Sequence, residues 1–123
     1  MPIDRDAALK QAEKLLRQGK LEGAIAEYVR LVQDQPRDWN SINALGDLYV
    51  RAGQTDRAVA QFIQIADFMF AEGFVPKPAA LYKKALKIKP EHEHTLLRLS
   101  ETAARQGLPL HAGNYLGQLG RPR

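Results

Sequence analysis

The chain has 123 residues, 45% of them hydrophobic and 26% charged, with a formal net charge of +4. That length suits one domain with a continuous core, and that balance suits a folded chain rather than a disordered one. The absence of cysteine excludes disulfides, thiolate nucleophiles and cysteine metal sites. No run approaches the ~20 apolar residues of a membrane span, and Met1-Pro2-Ile3-Asp4-Arg5 lacks the apolar stretch of a signal peptide. The mild positive charge favours acidic surfaces without defining a nucleic-acid binder, and the expected location is cytoplasmic.

Helical periodicity runs through nearly the whole chain. It predicts helices near 5–18, 21–34, 38–52, 55–72, 78–88, 91–106 and 109–119. Gly19, Gly53, Gly73 and Gly107 fall at helix ends, where a left-handed residue closes the last turn. Pro36, Pro78, Pro90 and Pro109 fall where helices end or begin, and there a missing N–H costs least. No segment alternates with period two, so the expected class is all-α.

Within this pattern a unit repeats. Gly19, Ala24, Tyr28 and Leu31 return thirty-four residues later as Gly53, Ala58, Phe62 and Ile65, and Ala12 and Leu15 return as Gly46 and Tyr49. Small residues recur opposite small and large opposite large, which marks repeated packing units. Ala12/Gly46 and Ala24/Ala58 would let paired helices approach closely, while Tyr28 and Phe62 fill the groove between them.

These residues resemble the tetratricopeptide repeat family, in its bacterial form. The first repeat, 5–38, carries Ala12, Leu15, Gly19, Ala24, Tyr28 and Pro36; the second, 39–72, carries Leu45-Gly46, Tyr49, Gly53, Ala58 and Phe62. The resemblance implies an antiparallel helix-hairpin array, an α-solenoid, over 1–123. It also implies a scaffold or adaptor for other proteins rather than an enzyme.

The register then slips. From Gly53 the next glycine of the series, Gly73, is only twenty residues on, and from Gly73 the interval of thirty-four resumes at Gly107. A third repeat, 59–92, with Phe62, Ile65, Ala66 and Met69 on its first helix, therefore overlaps the second. A fourth, 93–120, carries Leu96, Leu99, Ser100, Gly107, Ala112 and Leu116. Helix 55–72 would then serve both the second and third repeats, the other reading being a long second helix with an apolar, exposed end. With Val59, Ile63, Phe68 and Phe70 included, its apolar residues spread over roughly 220° at ~100° per residue, against roughly 100° or somewhat more for an ordinary surface helix.

In the family a peptide or helix of a partner lies in a concave groove lined by the first helix of each repeat. The matching positions are Leu9, Glu13, Leu16 and Arg17; Asn40, Asn43, Asp47, Val50 and Arg51; and His94, Leu97, Glu101 and Arg105. An acid precedes an arginine by four residues at Glu13–Arg17, Asp47–Arg51 and Glu101–Arg105. Such pairs are either solvated ion pairs of ~0.3–0.5 kcal/mol each or a ladder of charge that a ligand opens. Chaperone-binding members grip a C-terminal carboxylate with lysine, asparagine and arginine. Those positions here hold Leu9, Glu13, Ala44, Ala60 and Gln64, so that carboxylate clamp is not expected.

Gly73 to Pro90 contains no acid but five lysines, and four of these, Lys77, Lys83, Lys84 and Lys87, fall on about 120° of one helical face. A solvated outer face is one reading. The alternative is a basic-helix docking module for an acidic protein, nucleic acid or anionic membrane; nucleic acid and membrane rank below protein as partners, and no aromatic is expected on the lysine face. His92 and His94, at i and i+2, diverge on a helix, and His111 stands apart, so neither metal nor cofactor is expected. No phosphate loop, serine elbow or acid–base pair appears. Trp39 either packs at the inter-repeat turn or is exposed for contact. Leu110, Tyr115, Leu116 and Leu119 cannot all face inward, which anticipates self-association through the last helix or a continuation in a longer chain.

Overall fold

The ends of the helices show first how the sequence sets the structure. The computed structural model describes residues 3–107 and contains six helices there: α1 Arg5–Arg17, α2 Leu21–Asp34, α3 Trp39–Arg51, α4 Thr55–Ala71, α5 Pro76–Ile88 and α6 Glu93–Arg105. Among the described residues there is no strand. The expected helix at 109–119, with Ala112, Leu116 and the proposed self-association surface, lies outside them.

Three of the helices, α1, α3 and α6, start on a side-chain cap. Asp4 accepts from Ala7 N at 3.3 Å and Asp38 accepts from Ser41 N at 3.2 Å. His92 Nδ1 accepts from Thr95 N at 3.4 Å. Asp4 and Asp38 are thirty-four residues apart, and His92 follows Asp38 by thirty-four plus twenty. The caps therefore keep the register, slip included, and each satisfies an amide that the helix cannot.

The closing turns repeat as well. Gly19, Gly53, Gly73 and Gly107 have φ of 73°, 75°, 93° and 75°, the left-handed region where a side chain is strained. After three of them the next amide reaches back to close the turn: Lys20 N to Leu15 O at 2.8 Å, Gln54 N to Tyr49 O at 2.8 Å, and Phe74 N to Met69 O at 3.0 Å. This glycine-centred cap satisfies carbonyls the helix leaves open and reverses the chain into the next helix.

The small repeat positions are buried. Ala12 is 1% exposed, Ala24 and Ala58 are 0% exposed, and Gly46 is buried in α3. How closely α1 and α2 approach shows at Gly23, where an added Cβ would stand 3.3 Å from Leu15 Cδ1. The large repeat positions divide. Phe62 and its later counterpart Tyr82 are fully buried, but Tyr28, expected to be buried like them, is only half-buried. Its phenol lies near Arg5, Asp38 and Glu13 rather than inside an apolar layer.

The chain forms two compact units, divided inside α4 between Gln61 and Phe62. The first unit holds α1, α2 and α3, with α2 packed on both α1 and α3. Its buried residues include Ile25, Leu31, Ile42, Leu45, Leu48 and Tyr49. In the second unit α5 packs on α6, and Ala66, Phe70, Tyr82 and Leu99 form a core against which Leu81 and Leu86 pack. On α4 the fully buried residues are Ala58, Val59, Phe62, Ile65, Ala66 and Phe70, an arc of roughly 140° at ~100° per residue. Ile63, Phe68 and Met69, counted as apolar lining from the sequence, are half-buried, so the buried arc is narrower than the apolar one.

Phe62→Ala should lower the unfolding free energy in urea by about 3–5 kcal/mol, because it opens a cavity at a site with no exposed surface. His92→Asp, which installs the cap residue of the other two hairpins, should raise it by roughly 0.5–1 kcal/mol at neutral pH.

Candidate partner-binding surface

In the first unit the surface is built on α1 and α3. Arg5 and Asp38 tie the starts of these helices together, Nε to Oδ2 at 2.6 Å and Nη2 to Oδ1 at 3.4 Å. Burial pulls the Asp38 carboxyl upward, but the hydrogen bonds from Arg5 and Ser41 outweigh it and hold the group below the ordinary carboxylate range. The Arg5 guanidinium is held above its ordinary value by the same partner. Tyr28 is pushed up by burial, an effect Arg5 partly offsets. Asp38 thus caps α3 and anchors α1 at once, a role that the sequence pattern did not reveal.

Of the residues expected to line a groove here, Leu9, Leu16 and Asn43 are half-buried, and Glu13, Arg17, Asn40, Asp47 and Arg51 are exposed. Glu13 and Arg17 form the expected pair at 3.3 Å, with both side chains about two-thirds exposed. In that setting the pair contributes little to stability. Val50 stands 42% exposed among them.

In the second unit the surface gathers around Asp67, a residue not anticipated from the sequence. The Tyr82 hydroxyl donates to Asp67 Oδ1. His94 Nε2 lies 2.9 Å from Oδ2 and 3.1 Å from Oδ1 of the same carboxylate, and Arg98 Nε lies 3.7 Å from Oδ1. Burial, then the hydrogen bond to the Asp67 carboxylate, push the Tyr82 phenol far above the ordinary tyrosine range. A signal for Asp67 was available: moving Glu13 forward by thirty-four plus twenty lands on it, and Leu16 likewise lands on Phe70. The groove expected from sequence drew only on the first, second and last repeats.

The third expected acid–arginine pair is replaced. Glu101 accepts from Arg98 Nη1 at 3.0 Å, on the turn before it rather than from Arg105 on the turn after it. Arg105 instead lies over the Phe70 ring, 4.0 Å from its centroid, and Arg98 is 5.6 Å from the same ring. A guanidinium on an aromatic face gains electrostatic attraction and packing without an acid. The result is a half-exposed cluster of His94, Arg98, Glu101 and Asp67, with Leu97 43% exposed on the same helix.

The lysine strip is also changed in one place. Lys77, Lys83 and Lys87 are exposed on α5, but Lys84 is half-buried, its Nζ 4.3 Å from the centroid of Phe62. The aliphatic stem can cover the ring while the ammonium meets its face, so Lys84 belongs partly to the core. Trp39 is half-buried at the start of α3. His92 and His94 stand edge to face with ring centroids 6.5 Å apart. Among the described residues no group of three or more His, Cys, Asp or Glu side chains is placed to hold a metal.

Taken by fold, the described residues form an all-α array of antiparallel helices. No family model matches it. It is 28% identical over 123 residues to the BBSome complex member BBS4 of Bos taurus, a match that covers 89% of this chain but 24% of that protein. The chain thus spans about a quarter of its curated relative. Among solved structures, MamA of Desulfovibrio magneticus RS-1 is similar at a TM-score of 0.48 and 12% identity, covering 94% of this chain and 73% of that one. A tetratricopeptide repeat protein of Parabacteroides merdae is similar at 0.45 and 16%, covering 93% and 51%. At such identities and TM-scores these similarities say nothing of function.

The Tyr82 environment gives a pH prediction. The folded-state phenol titrates above its unfolded value of about 10, so above that pH the unfolded chain releases a proton that the folded chain keeps. Stability should therefore be flat in this group below pH ~9 and fall above ~10, by at most about 1.4 kcal/mol per pH unit. Urea unfolding of wild type and Tyr82→Phe across pH 8–11 checks this. The variant should lose that part of the alkaline slope; an identical slope in both proteins would contradict it.

Proposed function

We propose that the chain is a non-catalytic scaffold that holds a peptide or helix of another protein against the first helices of its hairpins. In the first unit the surface would be α1 and α3, with Leu9, Glu13, Arg17, Asn40, Asn43, Asp47, Val50 and Arg51. In the second it would be α6 with Asp67, using His94, Leu97, Glu101 and Arg105. The observation that carries the reading is the position of the exposed apolar side chains. Among the described residues the exposed large hydrophobic side chains are Val50, Phe74 and Leu97, and Val50 and Leu97 stand on α3 and α6 with charged groups close by in sequence. An amphipathic helix or extended peptide places apolar anchors on such residues and polar groups on the surrounding charges.

Weak pairs such as Glu13–Arg17 support the reading, because an exposed pair yields an arginine to a ligand carboxylate at small cost. The curated relative is by name a member of a protein complex, which is compatible with a part that holds other proteins.

The test is capture of partners from a lysate of the source cell by immobilised wild type and by the triple variant Asn43→Ala/Arg51→Ala/Arg105→Ala. The specifically retained proteins should be lost from the variant while its circular dichroism stays unchanged. If the same proteins are retained by both, these faces are not the binding surface.

A further inference from the structure

The third exposed large hydrophobic residue is Phe74, 55% exposed, in the turn between α4 and α5. It follows Gly73 directly, in the place held by Lys20 after Gly19 and by Gln54 after Gly53. Its amide closes α4 onto Met69 O, a backbone role that any residue but proline could fill, so the phenyl ring is not required by the turn. Two residues on, α5 begins with Pro76 and presents Lys77, Ala80, Lys83 and Lys87 as exposed residues. From Gly73 to Pro90 there is no acidic residue.

We propose that Phe74 and the outer face of α5 dock on an anionic lipid surface. The proposal does not depend on the first-helix surfaces, which use other residues. Charge and chemistry choose the occupant. A helix whose own charged residues are all lysines matches a diffuse layer of negative headgroups, since each ammonium is a point charge on a flexible stem. The core of a protein interface is instead depleted in lysine and enriched in aromatic residues and arginine. Single-stranded nucleic acid would call for aromatics stacked along the basic face, whereas the ring here stands at one end of it. One weak anchor gives only marginal membrane binding, and firmer attachment takes two signals, such as an apolar insertion with a basic patch; Lys77, Lys83 and Lys87 supply the patch and Phe74 the apolar group. Among the described residues no helix is long and apolar enough to cross a membrane. Lys84 plays a smaller part because it covers Phe62.

The magnitudes set the expected effects. Each lysine near such a surface raises the association constant roughly fivefold, so three together contribute about 100-fold; inserting the ring adds roughly tenfold or more. Co-sedimentation of the full chain would be measured with vesicles of pure phosphatidylcholine and with vesicles containing about 30% phosphatidylserine, in low salt and in about 0.5 M salt. The chain should bind the anionic vesicles only, and lose most binding in high salt. Lys77→Gln/Lys83→Gln/Lys87→Gln should weaken binding by about two orders of magnitude, and Phe74→Ser by about one. Thermal unfolding midpoints should match wild type in both variants, because all four side chains are exposed. Equal binding to neutral and anionic vesicles, no binding to either, or full binding by the triple lysine variant would overturn the proposal. So would salt-sensitive binding to duplex DNA or polyglutamate by a chain that leaves the anionic vesicles untouched, which would assign the strip to another acidic partner.

Discussion

Close approach of paired helices is the constraint on which the other features rest. Ala12, Ala24, Gly46 and Ala58 are buried because a larger side chain would push the helix axes apart, and Gly23 against Leu15 shows how little room is left. Once two helices are this close, the chain must reverse within a few residues. That demands the left-handed glycine and the back-reaching amide that follow α1, α3 and α4. The reversal in turn fixes which face of the first helix stays open. Packing thus determines the turns, and the turns determine the surface left for other molecules.

Helix positions were legible in the sequence because both punctuation and packing repeat. The six helices fall within about two residues of the spans that periodicity predicts, and even the slip between Gly53 and Gly73 is reproduced by the step from the Asp38 cap to the His92 cap. Side-chain partnerships were less legible, because charges at helical spacing have several neighbours within reach. Glu101 could have met Arg105 but meets Arg98, leaving Arg105 to the Phe70 ring. Asp67 was less legible than its counterpart Glu13 because it lies in the helix where the register changes. Tyr28 and Tyr82 show the limit of equivalence: the same position is half-buried in one hairpin and fully buried in the other.

Three settings stand out among the described cations. Arg5 is held by an acid that also caps a helix. Lys84 and Arg105 lie on aromatic rings. Lys77, Lys83 and Lys87 stand exposed on a helix whose own sequence has no acid. Only the last group carries charge at no cost to local structure when a partner takes it up, whereas moving Arg5 would unpin the start of α3.

The imidazole at the head of α6 has a consequence of a different kind. A carboxylate accepts from a helix amide in its ordinary charged form, but an imidazole accepts only through an unprotonated nitrogen. The link from Thr95 N to His92 Nδ1 therefore fixes which ring nitrogen is left to donate, Nε2, and α6 starts on a cap without the negative charge that Asp4 and Asp38 bring to the positive ends of α1 and α3.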